Sequence, residues 1–237
     1  MGMPISVLAR GEGAGSAAAE AVVRTVLAEL TEVDATFSVY REDSEVSRLA
    51  RGEVELARCG PDVREVFARC TWARELTGGL FDAATPEGRW DPSGLVKGWA
   101  VERASRQLAG TPDVDWCLNA GGDVVVLSAS GQPFVVGIQD PRDRRNVAAT
   151  ISRTTGAVAT SGTAARGAHL YDPRTGTATA TRWLSVTVMG PSLETADVLA
   201  TAAFVAGDGW AETLPAGYEG LAISTDGKLS RSSPRPL

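Results

Sequence analysis

Between Trp116 and Ala159 the chain carries five short apolar or β-branched runs, 116–118, 124–127, 135–138, 147–153 and 157–159, divided by Gly-, Asp- and Pro-bearing connections. Runs this short and closely spaced read as neighbouring strands with polar turns between them. The chain before them reads differently. In 16–33, Ala19, Val22, Val23, Val26, Leu27 and Leu30 recur at three- and four-residue spacing, which predicts an amphipathic helix with Ser16 as its cap. A second helix is predicted over 61–77, stopped by Gly78-Gly79, and a third from Ser93 to Gly110. The remaining elements are a strand at 5–9, an extended piece at 37–40, a segment capped by Ser44, a strand at 184–189, a helix at 193–206 and a hairpin of 221–224 with 229–231. Early helices followed by a block of strands predict an α+β fold in one continuous unit, 1–237, with 231–237 as a frayed tail.

Composition narrows the function. A hydrophobic content of 43% supports a substantial core, and a net charge of −6 argues against a nucleic-acid binder. Only Lys97 and Lys228 are lysines, against many arginines. The three cysteines, Cys59, Cys70 and Cys117, form no CxxC, so mostly structural thiols in a reducing compartment are expected. No window of 18 apolar residues occurs, and the N-terminus shows neither a signal-peptide pattern nor a lipobox-like cysteine. A cytoplasmic location without membrane insertion is the expectation.

Five stretches carry residues suited to chemistry. The first, AVATSGTAARGAHLYDPRTG (157–176), holds the only histidine, His169, three residues before Asp172, with Thr160, Ser161, Arg166 and Arg174 nearby. An imidazole beside a carboxylate and guanidiniums suits proton transfer on an anionic group, while an ordinary histidine before a hairpin turn is the competing reading. In DPSGLVKG, the carboxylate of Asp91, Gly94 and Lys97 sit at a helix start, where free N–H groups and a lysine favour an anion. A merely capped helix fits the same residues. NAGGD (119–123) is either a ligand-approaching turn or a plain hairpin. In ETADVLAT (194–201), Asp197 and Thr201 lie four apart on one helix face, a pairing that suits a hard cation such as Mg²⁺ or simply faces solvent. Phe37 and Tyr40 either cover a flat ring ligand or pack in the core.

Taken in order, MGMPISV, FSVYREDSEVSRL, GLFD, DPSGLVKGWAVERA, LNAGGDV, VGIQDP, ATSGTAARGAHLYDPRTG and SVTVMGPSLETADVLATAAFVAG resemble the FAD:protein FMN transferase (ApbE-like flavin transferase) family over nearly the whole chain. The resemblance implies a T-fold-like α+β unit of two lobes with the cofactor cleft between them. It implies FAD as substrate, Mg²⁺ as cofactor and an acceptor flavoprotein whose threonine receives FMN while AMP is released. Hydrolysis of FAD to FMN and AMP, or FAD binding without catalysis, is the alternative. Carried over residue by residue, the metal site falls on Asp197, Thr201, a backbone oxygen of Gly94 and Ala200. FAD contacts fall on Met1, Tyr40, Leu80, Phe81, Asp82, Asp91, Lys97 and Leu170 or Tyr171. His169 matches the family's catalytic histidine, with Asp172 as its orienting partner. The chain departs from the family's DLGGIAKG by carrying Pro92-Ser93, and its segment between Phe81 and Asp91 is short.

Overall fold

A computed structural model describes residues 3–86, 88–163, 171–179 and 181–233. Met1, Leu170 and His169 therefore lie outside the described residues. The centre of the fold is a seven-stranded sheet in the order β1-β2-β3-β6-β9-β10-β11, every neighbouring pair antiparallel. Its strands are β1 (Ile5–Arg10), β2 (Asp115–Ala120), β3 (Asp123–Leu127), β6 (Thr155–Gly162), β9 (Trp183–Gly190), β10 (Glu219–Ser224) and β11 (Leu229–Arg231). The hairpin of β4 (Phe134–Gln139) and β5 (Val147–Arg153) is a separate two-stranded sheet, as is the short pair β7 (Tyr171–Asp172) and β8 (Thr177–Ala178). The α+β expectation holds.

Alternation along the strands decides what each face meets. Trp116, Leu118, Val125, Ala157, Ala159, Val186 and Val188 join the larger core, which they share with the helices. Val124, Val126, Val158, Met189, Leu221 and Ile223 point the other way and pack against Phe134, Val136, Ile138 and Ile151 of the β4–β5 hairpin. The sheet is thus covered by helices on one side and by a hairpin on the other.

The helices are α1 (Ala17–Phe37), α2 (Glu45–Ala50), α3 (Pro61–Leu76), α4 (Ser93–Ser105) and α5 (Leu193–Ala206). Ser16, Ser44 and Ser192 cap α1, α2 and α5, each hydroxyl accepting from the amide three residues on. Burial of Ala19, Val26, Leu30, Val33 and Phe37 turns one stripe of α1 inward, while Leu27 remains 41% exposed. That stripe carries the helix through Phe37, whose ring meets Trp99 edge-on at 5.7 Å. The extended piece expected at 37–40 is accordingly the end of α1 followed by a turn, because burying Phe37 against α4 outweighs its strand preference. Helix α4 stops at Ser105, earlier than expected, and a 3-10 turn at Leu108–Gly110 completes the segment. Gly121 and Gly122 (φ 62° and 100°) make the β2–β3 turn, and the strands run closer to it than the sequence suggested. Among the described residues no helix is long and apolar enough to cross a membrane.

Candidate functional site

One end of the sheet opens into a cleft of about 990 Å³. Here β1 begins, β2 turns into β3, β6 ends and β9 begins, so residues from both sheet faces reach the opening. Leu80, Phe81, Asp82, Asp91, Gly94, Lys97, Tyr171, Asp197 and Thr201 all line it, together with Thr160, Ser161 and Ser185. Residues from Met3 to Thr201 converge on one opening.

Close packing of α4 on α5 sets the geometry. A Cβ at Gly98 would lie 3.0 Å from both the Cα of Glu194 and the Cβ of Asp197, so only glycine lets the helices approach this far. A Cβ at Gly94 would press to 3.1 Å from the Phe81 ring. The two glycines of DPSGLVKG thus serve helix packing rather than phosphate approach alone. Upstream, Asp91 Oδ1 accepts from the Ser93 amide at 3.0 Å and orders the entry to α4. The buried Thr77 hydroxyl accepts from the Phe81 amide at 3.0 Å and fixes the Leu80–Phe81–Asp82 corner. Asp82 is held by Arg74 at 2.8 Å, and the Tyr171 hydroxyl donates to the Ala84 carbonyl at 3.1 Å.

The core of the site is a charged triad. Lys97 Nζ lies 2.6 Å from Asp123 Oδ2 and 3.4 Å from Asp197 Oδ1, with both carboxylates buried. Burial acts to lower the lysine pKa, but the two carboxylates overcome it and hold Lys97 protonated. The Asp197 pKa is raised too, but here burial wins. Burial, the largest cause, and the charge of Asp123 raise its carboxyl above the usual range, against the pull of Lys97. With both acids ionised the triad carries one net negative charge. Asp197 Oδ2 is buried and makes no well-formed hydrogen bond among the described residues. One turn further along α5, Thr201 Oγ1 lies 2.9 Å from Ser161 Oγ on β6.

These donors fit a hard divalent cation. They offer an orphaned carboxylate oxygen, a hydroxyl and a net negative charge, and they leave coordination positions for phosphate oxygens. Among the described residues no three His, Cys, Asp or Glu side chains cluster as a self-contained metal cage, so such a cation would depend on hydroxyl, backbone and ligand oxygens.

Other expected residues stand elsewhere. Tyr40 is 95% exposed and does not line the cleft, while Phe37 packs in the core. The Ala200 methyl is fully buried one residue before Thr201. Asp172 is gripped by the Arg174 guanidinium at 2.9 and 2.7 Å, which lowers its pKa. Asp123, expected at most to touch a ligand from a turn, is instead the close partner of Lys97, and its Oδ1 accepts from the Thr160 amide at 3.2 Å. Its signal was available: Asp123 shares strand parity with Val125, which faces the helices, and a lysine inside a packed helix needs a carboxylate. Ser161 shares parity with Ala157 and Ala159 in the same way.

A family model described as the ApbE family matches residues 1–87 and 84–222. The chain belongs to the ApbE family. An ApbE relative from Vibrio cholerae named FAD:protein FMN transferase is 29% identical over 238 residues, covering 76% of this chain and 71% of its own length. Another of that name, from Haemophilus influenzae, is 24% identical over 88% of this chain and 79% of its own. The ApbE protein of Thermotoga maritima has the same fold at a TM-score of 0.84, with 23% identity over 98% of this chain and 94% of its own.

Proposed function

We propose that this chain transfers the FMN moiety of FAD to a threonine hydroxyl of an acceptor flavoprotein and releases AMP. The observation that carries the reading is the convergence of Lys97, Asp197 and Thr201 on one cleft, in a chain whose family relatives are named for this reaction. The bond formed joins the threonine oxygen to the FMN phosphorus. The bond broken is the pyrophosphate link, and AMP departs with the bridging oxygen.

The pyrophosphate must shed repulsion toward an incoming oxygen, and positioning with electrostatics supplies most of that. Mg²⁺ held by Asp197 and Thr201, with the Gly94 carbonyl and the Ala200 backbone beside them, would neutralise phosphate oxygens. Asp123 keeps Lys97 charged and aimed at the cleft, and Gly98 lets Asp197 come within reach of it. Leu80, Phe81, Asp82, Asp91 and Tyr171 form the wall on which FAD is bound in this reading. Tyr40, outside that wall, and Met1 are proposed as further contacts on the family resemblance alone. His169 takes the threonine proton, and Asp172 orients it. The cytoplasm is the proposed location, supported by three free thiols.

The test is direct. The protein is incubated with FAD, Mg²⁺ and a flavoprotein acceptor, and covalent flavin fluorescence and AMP are measured together. Equal yields of both support transfer, AMP without labelled acceptor makes the protein an FAD pyrophosphatase, and intact FAD makes it a binder. His169→Ala should slow transfer by about 10²–10⁴-fold if it carries the proton, and a wild-type rate removes that role.

A further inference from the structure

We propose that the threonine-bearing segment of the acceptor docks as an extended strand on the free edge of β4, adding a third strand to the β4–β5 hairpin. The inference rests on the flavin-transfer reading and names how its protein substrate is held. Among the described residues β4 pairs with β5 alone. Residues 135, 136, 137, 138 and 139 nevertheless all line the cleft. Side chains of a strand alternate between faces, so a surface touched by five successive residues runs along the strand's side. The cleft therefore follows the unpaired edge of β4, where alternate residues turn their N–H and C=O groups away from β5.

Such an edge is normally guarded by lysine, proline or a bulge that turns it away. The sequence of β4, FVVGIQ, holds no charge and no proline, its one register shift against β5 lies at its last step, between Ile138 and Gln139, and Val135 is 68% exposed. The groove beside it has a floor of mixed polarity, with Leu8 as an exposed apolar step at its margin. On β1 and β2, Leu8 pairs with Cys117 and Ser6 with Asn119, and this parity faces the hairpin side of the sheet. Leu8 is 58% exposed, and Cys117 and Asn119 line the cleft. A strand edge without a backbone partner among the described residues, above a floor of Cys117, Asn119 and the nearby Leu8, suits an extended peptide, which pairs the edge with its own backbone and lays alternate side chains on the floor.

Position and charge favour the acceptor as occupant. The groove is continuous with the opening that holds Lys97, Asp197 and Thr201, so a strand on β4 delivers a side chain toward the reacting phosphate. Arg144, exposed beyond the end of β4, also lines the cleft and has no carboxylate partner among the described residues. It would pair an acidic residue of the docked segment.

The experiment has two stages. The protein reacts with FAD and Mg²⁺ in a soluble cell extract, the fluorescent tryptic peptide is sequenced, and its unmodified synthetic form becomes the probe. Hydrogen exchange of β4 and β5 amides is then followed with and without saturating probe, and kcat/KM for transfer is measured for probes N-methylated at each backbone position in turn. The expected result is exchange slowed about tenfold or more at alternate β4 amides, with N-methylation lowering kcat/KM about tenfold at every second position near the threonine. A probe that is flavinylated while β4 exchange stays unchanged and the N-methyl series shows no period of two overturns the docking mode and leaves the transfer reading standing. Recovery of no flavinylated peptide overturns the transfer reading, and this proposal with it.

Discussion

The ammonium of Lys97 is closer to Asp123 than to Asp197, 2.6 Å against 3.4 Å, although Asp197 is the residue on the neighbouring helix. Asp123 reaches it from the sheet, and its other oxygen holds the Thr160 amide. The triad thus ties α4, α5, β3 and β6 together at the mouth of the cleft. Removing the carboxylate of Asp123 leaves a largely buried lysine facing one acid instead of two. We expect Asp123→Asn to destabilise the fold by about 3–5 kcal/mol in urea unfolding, the range for breaking a buried pair. Transfer activity should fall with it even at temperatures where the variant is folded. An unchanged unfolding midpoint would show that Lys97 draws its stability from Asp197 alone.

Asp197→Asn keeps the shape of the site and removes its orphaned negative oxygen. Saturating Mg²⁺ should raise the melting temperature of the native protein and leave that of the variant where it was. Mass action predicts about 2.7 kcal/mol at a hundred times the dissociation constant. A Mg²⁺ shift of equal size in both proteins would place the cation elsewhere.

Gly98→Ala pits two effects against each other. Alanine favours a helix interior by about 1 kcal/mol over glycine. Here its methyl meets the Glu194 backbone at 3.0 Å, and overpacking of this kind costs about 1–3 kcal/mol. A net loss of stability is expected, with a larger loss of activity because α5 is pushed away with Asp197. A variant more stable than wild type would show that the two helices can part freely.

Asp115 gives the acid limb a defined contributor. The Ser130 hydroxyl at 2.6 Å and amide at 2.9 Å, with Arg10 at 2.8 Å, depress its pKa well below the ordinary carboxylate value. A depressed folded pKa contributes stability above the unfolded value, about 3.9, that is lost as pH falls toward the folded one. Asp115→Asn should therefore be destabilised at pH 6, and its gap to wild type should begin to narrow only below about pH 4 and be clearly smaller at about pH 2. Equal gaps at both pH values in thermal melts would remove the charge from the account.

Much of the fold was legible because local signals and tertiary packing agreed. The serine caps of α1 and α2, the Gly78-Gly79 stop and the Asp226-Gly227 turn stand where residue type put them. Phe37 was misread because its neighbours favour extended backbone, whereas burial at the end of the α1 stripe, against the Trp99 ring, keeps it helical. At the site, Asp197 with Thr201 was readable from helical spacing, since the period alone places them together. For Lys97 and Asp123 only half the signal was local: strand parity turns Asp123 toward the helices, but its choice as the lysine's partner depends on how closely α4 lies on β3. Tyr40 shows the opposite limit: its place in a motif says nothing of where a surface turn sends its ring.

Eleven of the fourteen residues of α5 are buried, Asp197 among them. A helix enclosed on all sides has no route by which to fray on its own, so its amides should exchange only when the whole molecule opens. The chemistry carried on such a helix has no half-working state: warming or denaturant should switch it off in step with global unfolding.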